Sequence, residues 1–489
     1  MNYKTIGKIL SQILLIEAAM MIPPLLISLA DHSGAAANAF VATILLTAGI
    51  GALLGVLCRK TGKKFRAKEG LVCVGLAWIF MSALGALPLY LSGSAPTYID
   101  SFFEIVSGFT TTGSTIMPSV EALPRGINYW RCFTHWVGGM GVLVFLLAVV
   151  PHGDNENSGF TLHLLRAESP GPEVGKLVPK MKQTASILYF MYIFLTVLCF
   201  LFLLAGGMDW FEALCHAFGT AGTGGFGVKN DSLGSYSPYL QNVCTVFMIL
   251  FGVNFNCYFL LVCRQFKSLF KNEEVRFYFG VIAASIALIA INTTHLFESI
   301  GQAVHHAAFQ VASIITTTGF ATVDFNLWPG FSKAVILFLM FCGACAGSTG
   351  GGIKCSRVLL LIKSAIRDLR LSMHPKKVQT IRLDGKSVSE RTVSGVTMYL
   401  TIYCMIVIVS FLLVSLDGFS VESNFSAVMA CFNNIGPGFD AVGPLSNFAG
   451  FSPFSKLILC FDMLAGRLEI YPIMILLMKR TWADSKRKA

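Results

Sequence analysis

The sequence predicts an all-α integral membrane protein with about ten transmembrane helices and four shorter helices that enter the membrane without crossing it. Three observations predict this fold class. Only 13% of the 489 residues are charged and 54% are apolar, whereas about 25% of the residues in a soluble domain are charged. Apolar runs of about 20 residues, the length that crosses a bilayer core, recur along the chain. A unit of span, short segment, glycine loop and span occurs four times.

The apolar runs locate the predicted transmembrane helices. Two runs come first, and two more belong to each of the four units. Their residues are 9–30, 39–58, 70–92, 129–151, 184–207, 239–263, 276–295, 331–362, 392–416 and 452–478. The first run is longer than the apolar core of a signal peptide, and a second span follows at once, so we interpret it as a retained helix.

The distribution of charge predicts the orientation of the protein. If the N-terminus lies in the cytoplasm, most of the 37 lysine and arginine residues fall on the cytoplasmic side, as they do in most membrane proteins. Both termini are therefore expected in the cytoplasm. The net charge of +11 is explained by this basic face, so no nucleic-acid partner is expected. Acidic residues outnumber basic ones on the opposite side, which favours the approach of cations.

Four semi-apolar segments are too short to cross the membrane and predict re-entrant half-helices. Their residues are 100–112, 209–223, 304–318 and 422–435. A loop follows each one, and the glycines aligned as equivalent are Gly113, Gly224, Gly319 and Gly436. Non-helical backbone at membrane depth is tolerated where it is buried in protein or lines a water-filled path. The four loops are therefore expected to surround one axis.

The loops have the chemistry of a filter for monovalent cations. The half-helices direct their negative C-terminal ends at the loops. Backbone carbonyls can replace the water shell of a cation, and glycine reaches the backbone angles that this requires. The loops carry no carboxylate, which fits a weakly hydrated monovalent ion better than calcium. For any single loop an ordinary Thr/Gly turn is the alternative, but four loops in register make it a weak one.

The span at 331–362 contains the segment GACAGSTGGGIK, which predicts a break in the helix. Its glycines are Gly343, Gly347, Gly350, Gly351 and Gly352. Each glycine costs a helix about 1 kcal/mol relative to alanine, so the chain is expected to unwind at mid-membrane. An unwound segment just inside the filter is placed to obstruct the path or to move and open it. The alternative is close packing of helices by small residues.

Arg467 in the last span is the one basic residue predicted deep within the membrane, where a charge costs at least about 3 kcal/mol. We interpret it as a positive barrier in the path, and a structural ion pair with Glu469 or Asp462 is the alternative. No spacing of His, Cys, Asp and Glu predicts a catalytic or metal site. The GxGxxG at Gly222 lacks the preceding strand of a nucleotide site. The chain is therefore expected to have neither enzymatic activity nor a cofactor of its own.

With these segments in place, the sequence resembles the Trk/Ktr/HKT superfamily of potassium transporters, and specifically the bacterial Trk-type membrane subunit. The resemblance rests on the four loops and on the position of Arg467. It also rests on the motifs WVGGMGVLV (136–144), RAESPGP (166–172), GVNFNCYFL (252–260) and CAGSTGGGIK (345–354). The two helices ahead of the first repeat are similar to the N-terminal pair of the Trk branch.

The resemblance implies potassium uptake, with rubidium as a surrogate, through a four-fold pseudosymmetric pore in the bacterial inner membrane. The implied filter residues are Thr111, Thr112, Gly113, Gly222, Thr223, Gly224, Thr317, Thr318, Gly319, Asn434, Ile435 and Gly436. The implied gate comprises the five glycines of the segment at 343–352 and Arg467. A glycine in all four loops favours potassium over sodium. Passive transport and symport with protons or sodium both stay open.

The resemblance further implies a homodimer and a cytosolic ring of regulatory subunits that bind NAD or ATP/ADP. The predicted organisation is an N-terminal pair followed by four repeats, with the intramembrane loop 343–352 in the third. The boundaries are 1–68, 69–165, 166–272, 273–385 and 386–489. The competing hypothesis is a coupled secondary transporter of another solute, which predicts two inverted halves with one central pair of broken spans.

Overall fold

A computed structural model describes residues 1–59, 67–141, 181–375 and 379–483. This part of the chain is mostly helical and contains one antiparallel strand pair, β1 (Arg382–Leu383) and β2 (Lys386–Ser387). Six of its helices are long and apolar enough to cross a membrane, or seven if one bent pair counts as a span. The protein is therefore an all-α, multi-pass membrane protein, as predicted. The predicted motif at 166–172 lies outside the described residues.

The N-terminal pair packs closely through small residues. Its helices are α1 (Tyr3–Met20), α2 (Ile22–Ala30) and α3 (Gly34–Leu57), and α1 and α2 together form one span of 28 residues. The Ser11 hydroxyl donates to the Gly51 carbonyl at 2.7 Å. A Cβ atom on Gly55 would lie 2.8 Å from the same hydroxyl. Small residues at such a crossing let two membrane helices approach closely.

Four repeats follow, and each contains a first helix, a half-helix and a second helix. Repeat 1 contains α4 (Ala67–Gly85), α5 (Leu87–Leu91), α6 (Tyr98–Phe109) and α7 (Arg125–Gly139). Repeat 2 contains α8 (Met181–Ala205), α9 (Trp210–Gly222), α10 (Pro238–Phe251), α11 (Phe255–Val262) and α12 (Phe266–Lys271). Repeat 3 contains α13 (Glu273–Thr293), α14 (Ile300–Ile315), α15 (Gly330–Cys342) and α16 (Cys355–Met373). Repeat 4 contains α17 (Glu390–Val414), α18 (Val421–Phe432), α19 (Pro453–Arg467), α20 (Tyr471–Leu477) and α21 (Lys479–Ala483).

The half-helices α6, α9, α14 and α18 begin at capping residues that the sequence provides. A side-chain oxygen accepts a backbone N–H two or three residues further on in each case. The caps are Thr97, Asp209, Ser299 and Ser420. Such caps satisfy N–H groups that have no partner within the helix. The third half-helix begins at Ile300, directly after its cap, four residues before the predicted start at 304.

Three second helices are interrupted, although the sequence predicted a break in only one of them. In repeat 3 the chain is non-helical from 343 to 354, as predicted. In repeat 2 the predicted continuous span 239–263 is wrong, because α10 and α11 are separated at 252–254 and bent by 90°. In repeat 4 the predicted span 452–478 is broken at 468–470, where Glu469 and Ile470 have φ of 54° and 71°. The predicted span 129–151 leaves the described residues after 141.

The half-helices pack in a cycle around the centre of the molecule. Each one contacts the second helix of the repeat before it: α9 packs on α7, α14 on α10, α18 on α15 and α6 on α19. The last contact joins repeat 4 to repeat 1 and closes the cycle. The four loops that follow the half-helices are therefore brought to the same place.

Candidate ion pathway

The four half-helices end in the same backbone conformation. A residue one or two positions beyond the end of each helix adopts the left-handed region, with φ between 53° and 58°. These residues are Thr111, Thr223, Thr317 and Asn434. The residue that follows donates its backbone N–H to the carbonyl oxygen five residues earlier in the chain, with N···O distances of 2.8 to 2.9 Å. These donors are Thr112, Gly224, Thr318 and Ile435. The shared hydrogen bonds define which residues of the four loops are equivalent.

This geometry corrects the predicted alignment of the second loop. A glycine with positive φ lies two residues after the left-handed residue in every repeat. These glycines are Gly113, Gly225, Gly319 and Gly436, with φ of 84°, 78°, 87° and 102°. The prediction that aligned Gly224 with Gly113 and counted Gly222 in the filter is therefore wrong by one residue. The loop AGTGGF contains three glycines, but the spacing Thr-x-Gly of the first and third loops would have selected Gly225.

The loops form a closed ring around one axis. A Cβ atom placed on the glycine of one repeat would meet a carbonyl oxygen of the next repeat at less than 3.0 Å. The pairs are Gly113 with Gly224, Gly225 with Thr318, Gly319 with Ile435, and Gly436 with Thr112. The fourth pair returns to the first repeat, so the ring is complete. Only glycine allows adjacent loops to approach this closely.

The four carbonyls in this ring are available to bind a cation. Within the described part of the chain, no protein hydrogen bond is donated to the carbonyl oxygens of Thr112, Gly224, Thr318 or Ile435. All four residues are fully buried or nearly so. A buried carbonyl without a partner costs free energy unless something else satisfies it. A dehydrated cation on the axis would satisfy all four at once.

The fourth loop, which departs most from the Thr-rich pattern, is fixed by its own side chain. The Asn434 amide donates to the Thr112 hydroxyl at 3.0 Å and to the Met463 carbonyl at 2.9 Å. In the first loop, the Thr112 hydroxyl also contacts the Thr110 hydroxyl at 2.8 Å. Asn434, which stands where the other three loops have a threonine, therefore ties the fourth loop to the first.

A polar cavity of about 130 Å³ lies directly above the ring, and we call it the outer cavity. The four glycines with positive φ, Gly225 among them, line its floor. The residues that follow them in the loops form its walls. The outer cavity therefore connects the ring to the side of the protein on which the half-helices begin.

The non-helical segment between α15 and α16, residues 343–354, is the intramembrane loop, and it packs on the other side of the ring. The Gly351 N–H donates to the Thr317 hydroxyl at 2.6 Å. A Cβ atom on Gly351 would lie 2.5 Å from the Asn433 carbonyl oxygen, and one on Gly350 would lie 2.8 Å from that of Thr316. The intramembrane loop therefore contacts the third and fourth loops of the ring directly, which requires glycine at these positions.

The intramembrane loop is anchored by the break between α10 and α11 and by a glutamate. The Cys345 N–H donates to the Gly252 carbonyl at 3.1 Å, and the Phe255 N–H donates to the Gly347 carbonyl at 2.9 Å. Glu274, in the first turn of α13, accepts the N–H groups of Ala346 and Ser356 at 2.7 and 3.0 Å on one oxygen. Glu274 has no distinctive signal in the sequence, because an acid in the first turn of a helix is ordinarily explained by the helix dipole.

Arg467 joins the intramembrane loop to repeat 1. Its guanidinium donates to the Thr349 carbonyl at 2.8 Å and to the Gly138 and Gly139 carbonyls at 2.5 and 2.7 Å. The two acids proposed as alternative partners have other contacts. Glu469 forms an ion pair with Arg357, and Asp462 accepts a hydrogen bond from the Ser410 hydroxyl at 2.6 Å. The arrangement makes Arg467 a bridge between the loop and the end of α7.

The chain is similar in sequence to known cation transport proteins. Residues 36–486 match the TrkH family model, which is described as a cation transport protein. The chain is 35% identical over 493 residues to the Trk system potassium uptake protein TrkH of Escherichia coli, covering 99% of this chain and all of that protein. It is equally similar to TrkH of Halomonas elongata, with 35% identity over 491 residues, again 99% of this chain and all of the relative.

A solved structure shares the whole fold. The crystal structure of the potassium transporter TrkH from Vibrio parahaemolyticus matches with a TM-score of 0.88 and 31% identity, over 99% of this chain and all of that one. These relatives are named as transporters, which confirms the prediction of a protein that is not an enzyme. The family that the sequence motifs indicated is likewise confirmed. The chain belongs to the TrkH family of cation transport proteins.

Proposed function

We propose that this protein takes up potassium through the ring of four loops. The observation that carries the proposal is the closed set of four buried carbonyls on one axis, without a carboxylate among them. Carbonyl dipoles suit a weakly hydrated monovalent cation, since they replace water without neutralising the ion. The relatives in Escherichia coli and Vibrio parahaemolyticus are named for potassium. A glycine at all four equivalent positions further supports potassium over sodium.

The intramembrane loop and Arg467 are proposed to form the gate. Both lie against the side of the ring opposite the outer cavity, where a potassium ion leaving the filter would pass. Arg467 adds a positive charge there, and the loop adds backbone that contacts two filter loops. A positive charge beside a pore is an electrostatic barrier to cations, and a segment that narrows the pore restricts conduction.

Removal of Gly350 to Gly352 is expected to raise potassium flux by about fivefold, since the lost hydrogen bond from Gly351 to Thr317 contributes on the order of 1 kcal/mol. Flux into liposomes, measured beside the thermal unfolding of the purified variant, checks this. A variant that unfolds at the temperature of the unmodified protein but conducts no faster would contradict the assignment of the loop as a gate.

The proposed assembly is a homodimer in the bacterial inner membrane, with both termini in the cytoplasm. A cytosolic ring of nucleotide-binding subunits, controlled by NAD or ATP/ADP, is proposed to regulate it. The excess of basic residues on the predicted cytoplasmic side supports the orientation and offers a charged face to such a ring. The resemblance to Trk-type membrane subunits supports the partner and the dimer.

A solute-coupled secondary transporter is the competing hypothesis, and the geometry favours the pore. That class of transporter places its substrate between two inverted halves. Here four equivalent loops face one axis in a single cyclic order, and each contributes the same backbone atoms.

Ion flux into liposomes that contain only this purified chain tests the proposed function. Potassium, rubidium, sodium and lithium are compared under an imposed voltage. We expect flux of potassium and rubidium well above that of sodium and lithium. If no ion enters, the assay is repeated with the cytosolic partner and nucleotide. Flux that is still absent would contradict the proposed function.

A further inference from the structure

A buried ion pair lies directly behind the first filter loop. Glu104 of α6 and Arg131 of α7 have side chains that are 0% and 1% exposed. The Arg131 Nε donates to Glu104 Oε1 at 2.7 Å, and its Nη2 lies 2.5 Å from the same oxygen. Arg131 Nη1 donates to the Asn128 side-chain oxygen at 2.8 Å. Two opposite charges are therefore held in a fixed geometry away from solvent.

The ion pair is hydrogen-bonded to the residues that follow the first filter glycine. Glu104 accepts the Ile116 N–H at 2.8 Å and the Thr115 hydroxyl at 2.9 Å. These residues follow Gly113 by three and two positions. The Arg131 guanidinium also lies over the ring of Phe226, 4.2 Å from its centroid, and Phe226 follows the filter glycine of repeat 2. The pair therefore contacts the outer ends of two adjacent filter loops.

The first filter loop is also hydrogen-bonded to the fourth. Between Gly113 and Thr115 lies Ser114, whose hydroxyl donates to the Gly436 carbonyl at 3.0 Å. Gly436 is the filter glycine of repeat 4. A displacement of Thr115 would move Ser114 and change its contact with repeat 4. Three of the four filter loops are thus coupled to the position of one carboxylate.

The charge at this position occurs in one repeat only. Seven residues before the left-handed residue, the four half-helices carry Glu104, His216, Gln310 and Ala427. In repeat 4 the N–H equivalent to that of Ile116 belongs to Phe439, and it donates to the neutral Ser426 hydroxyl at 2.8 Å. A neutral side chain is therefore sufficient to satisfy this amide. Repeat 1 instead uses a carboxylate, which requires a buried counter-ion.

We propose that Glu104 and Arg131 are positioning residues for ion selectivity, which hold the outer filter at the spacing that suits potassium. The proposal rests on the proposed function of the ring. A carboxylate that accepts hydrogen bonds holds its donors more tightly than a neutral acceptor does. Selection between potassium and the smaller sodium ion depends on the position and stiffness of the surrounding carbonyls. The pair fixes both, without touching the ion.

The test replaces both charges together, because removal of one partner would leave an uncompensated buried charge that can unfold the protein. In the variant Glu104→Gln/Arg131→Gln the neutral amides are close to the original side chains in size. We expect the ratio of potassium to sodium flux in liposomes to fall about tenfold, the factor that corresponds to one hydrogen bond to a charged group. Potassium flux itself should persist. The single variant Glu104→Asp keeps a carboxylate on a shorter side chain and should retain most of the selectivity.

A second buried pair on the same half-helix provides the matched control. Asp100 of α6 lies 2.6 Å from Lys456 of α19, with side chains 9% and 7% exposed, at the far end of the half-helix from the filter. The variant Asp100→Asn/Lys456→Gln should retain the selectivity of the unmodified protein. Equal loss of selectivity in both double variants would show a general effect of losing a buried pair and overturn the proposal.

Two further outcomes are decisive. Unchanged selectivity in a folded Glu104→Gln/Arg131→Gln protein would overturn the positioning role. If that protein does not fold, the Glu104→Asp variant provides the test. A partial fall in its selectivity would support the proposal. A selectivity identical to that of the unmodified protein would count against it. Failure of the proposed function is distinguished by the unmodified protein, which would then show no preference for potassium.

Discussion

Replacement of Gly113 with alanine is expected to reduce potassium flux by about 100-fold or more. The residue has φ of 84°, where a non-glycine residue costs about 1–2 kcal/mol. The new methyl group would also overlap the carbonyl oxygen of Gly224 in the next loop. Overpacking of this kind costs about 1–3 kcal/mol, and the two terms together correspond to roughly 100-fold. Relief of the overlap displaces the carbonyls of two repeats from the axis.

Substitutions at two glycines outside the ring test whether backbone strain alone explains a loss of flux. Gly385 and Gly418 both have φ of 77°, and a Cβ atom on either would meet nothing within 4 Å. Gly385→Ala and Gly418→Ala therefore introduce the same strain without the overlap, and their flux should stay within about twofold of the unmodified protein. Potassium and rubidium flux of the three variants in liposomes, at matched amounts of folded protein, provides the comparison. Normal flux through Gly113→Ala would contradict the assignment of this ring as the filter.

The half-helices were predictable because their signals are local. A capping residue, an apolar stretch of about three turns and a Gly-containing loop are close together in the sequence, and four repetitions reinforce one another. The ends of α6, α9 and α18 fall within three residues of their predicted positions. The register of the second loop was predicted wrongly, since AGTGGF contains three closely spaced glycines, at 222, 224 and 225, and the choice among them depends on contacts with the neighbouring loop.

The breaks in the second helices of repeats 2 and 4 could not be predicted, because distant residues determine them. In repeat 2, Gly252 leaves room for the Tyr278 hydroxyl of the next repeat, and the Asn254 side chain then caps the start of α11. In repeat 4, Ile470 adopts a positive φ that its β-branched side chain disfavours. Neither segment has the glycine content of residues 343–352. The contacts of Glu274 with the intramembrane loop depend on the same folded arrangement.

Replacement of Arg467 with alanine is expected to raise potassium flux by roughly tenfold, since even one of its charge-assisted hydrogen bonds contributes on the order of 1.5 kcal/mol. The side chain holds the Thr349 carbonyl of the intramembrane loop against the Gly138 and Gly139 carbonyls of repeat 1. Its loss removes both this bridge and the positive charge from the proposed path of the ion. Single-channel conductance or flux into liposomes measures the combined effect.

The variant Arg467→Lys distinguishes the effect of the hydrogen-bonded bridge from the effect of the positive charge. Lysine keeps the positive charge, but it has a single ammonium group in place of the planar fork that reaches carbonyls on both sides. If the bridge keeps the loop closed, flux through Arg467→Lys should rise toward that of Arg467→Ala. If the charge alone slows the cation, Arg467→Lys should conduct like the unmodified protein, and only Arg467→Ala should gain. A fall in flux or loss of folded protein in both variants would show that Arg467 stabilises the fold and does not close the path.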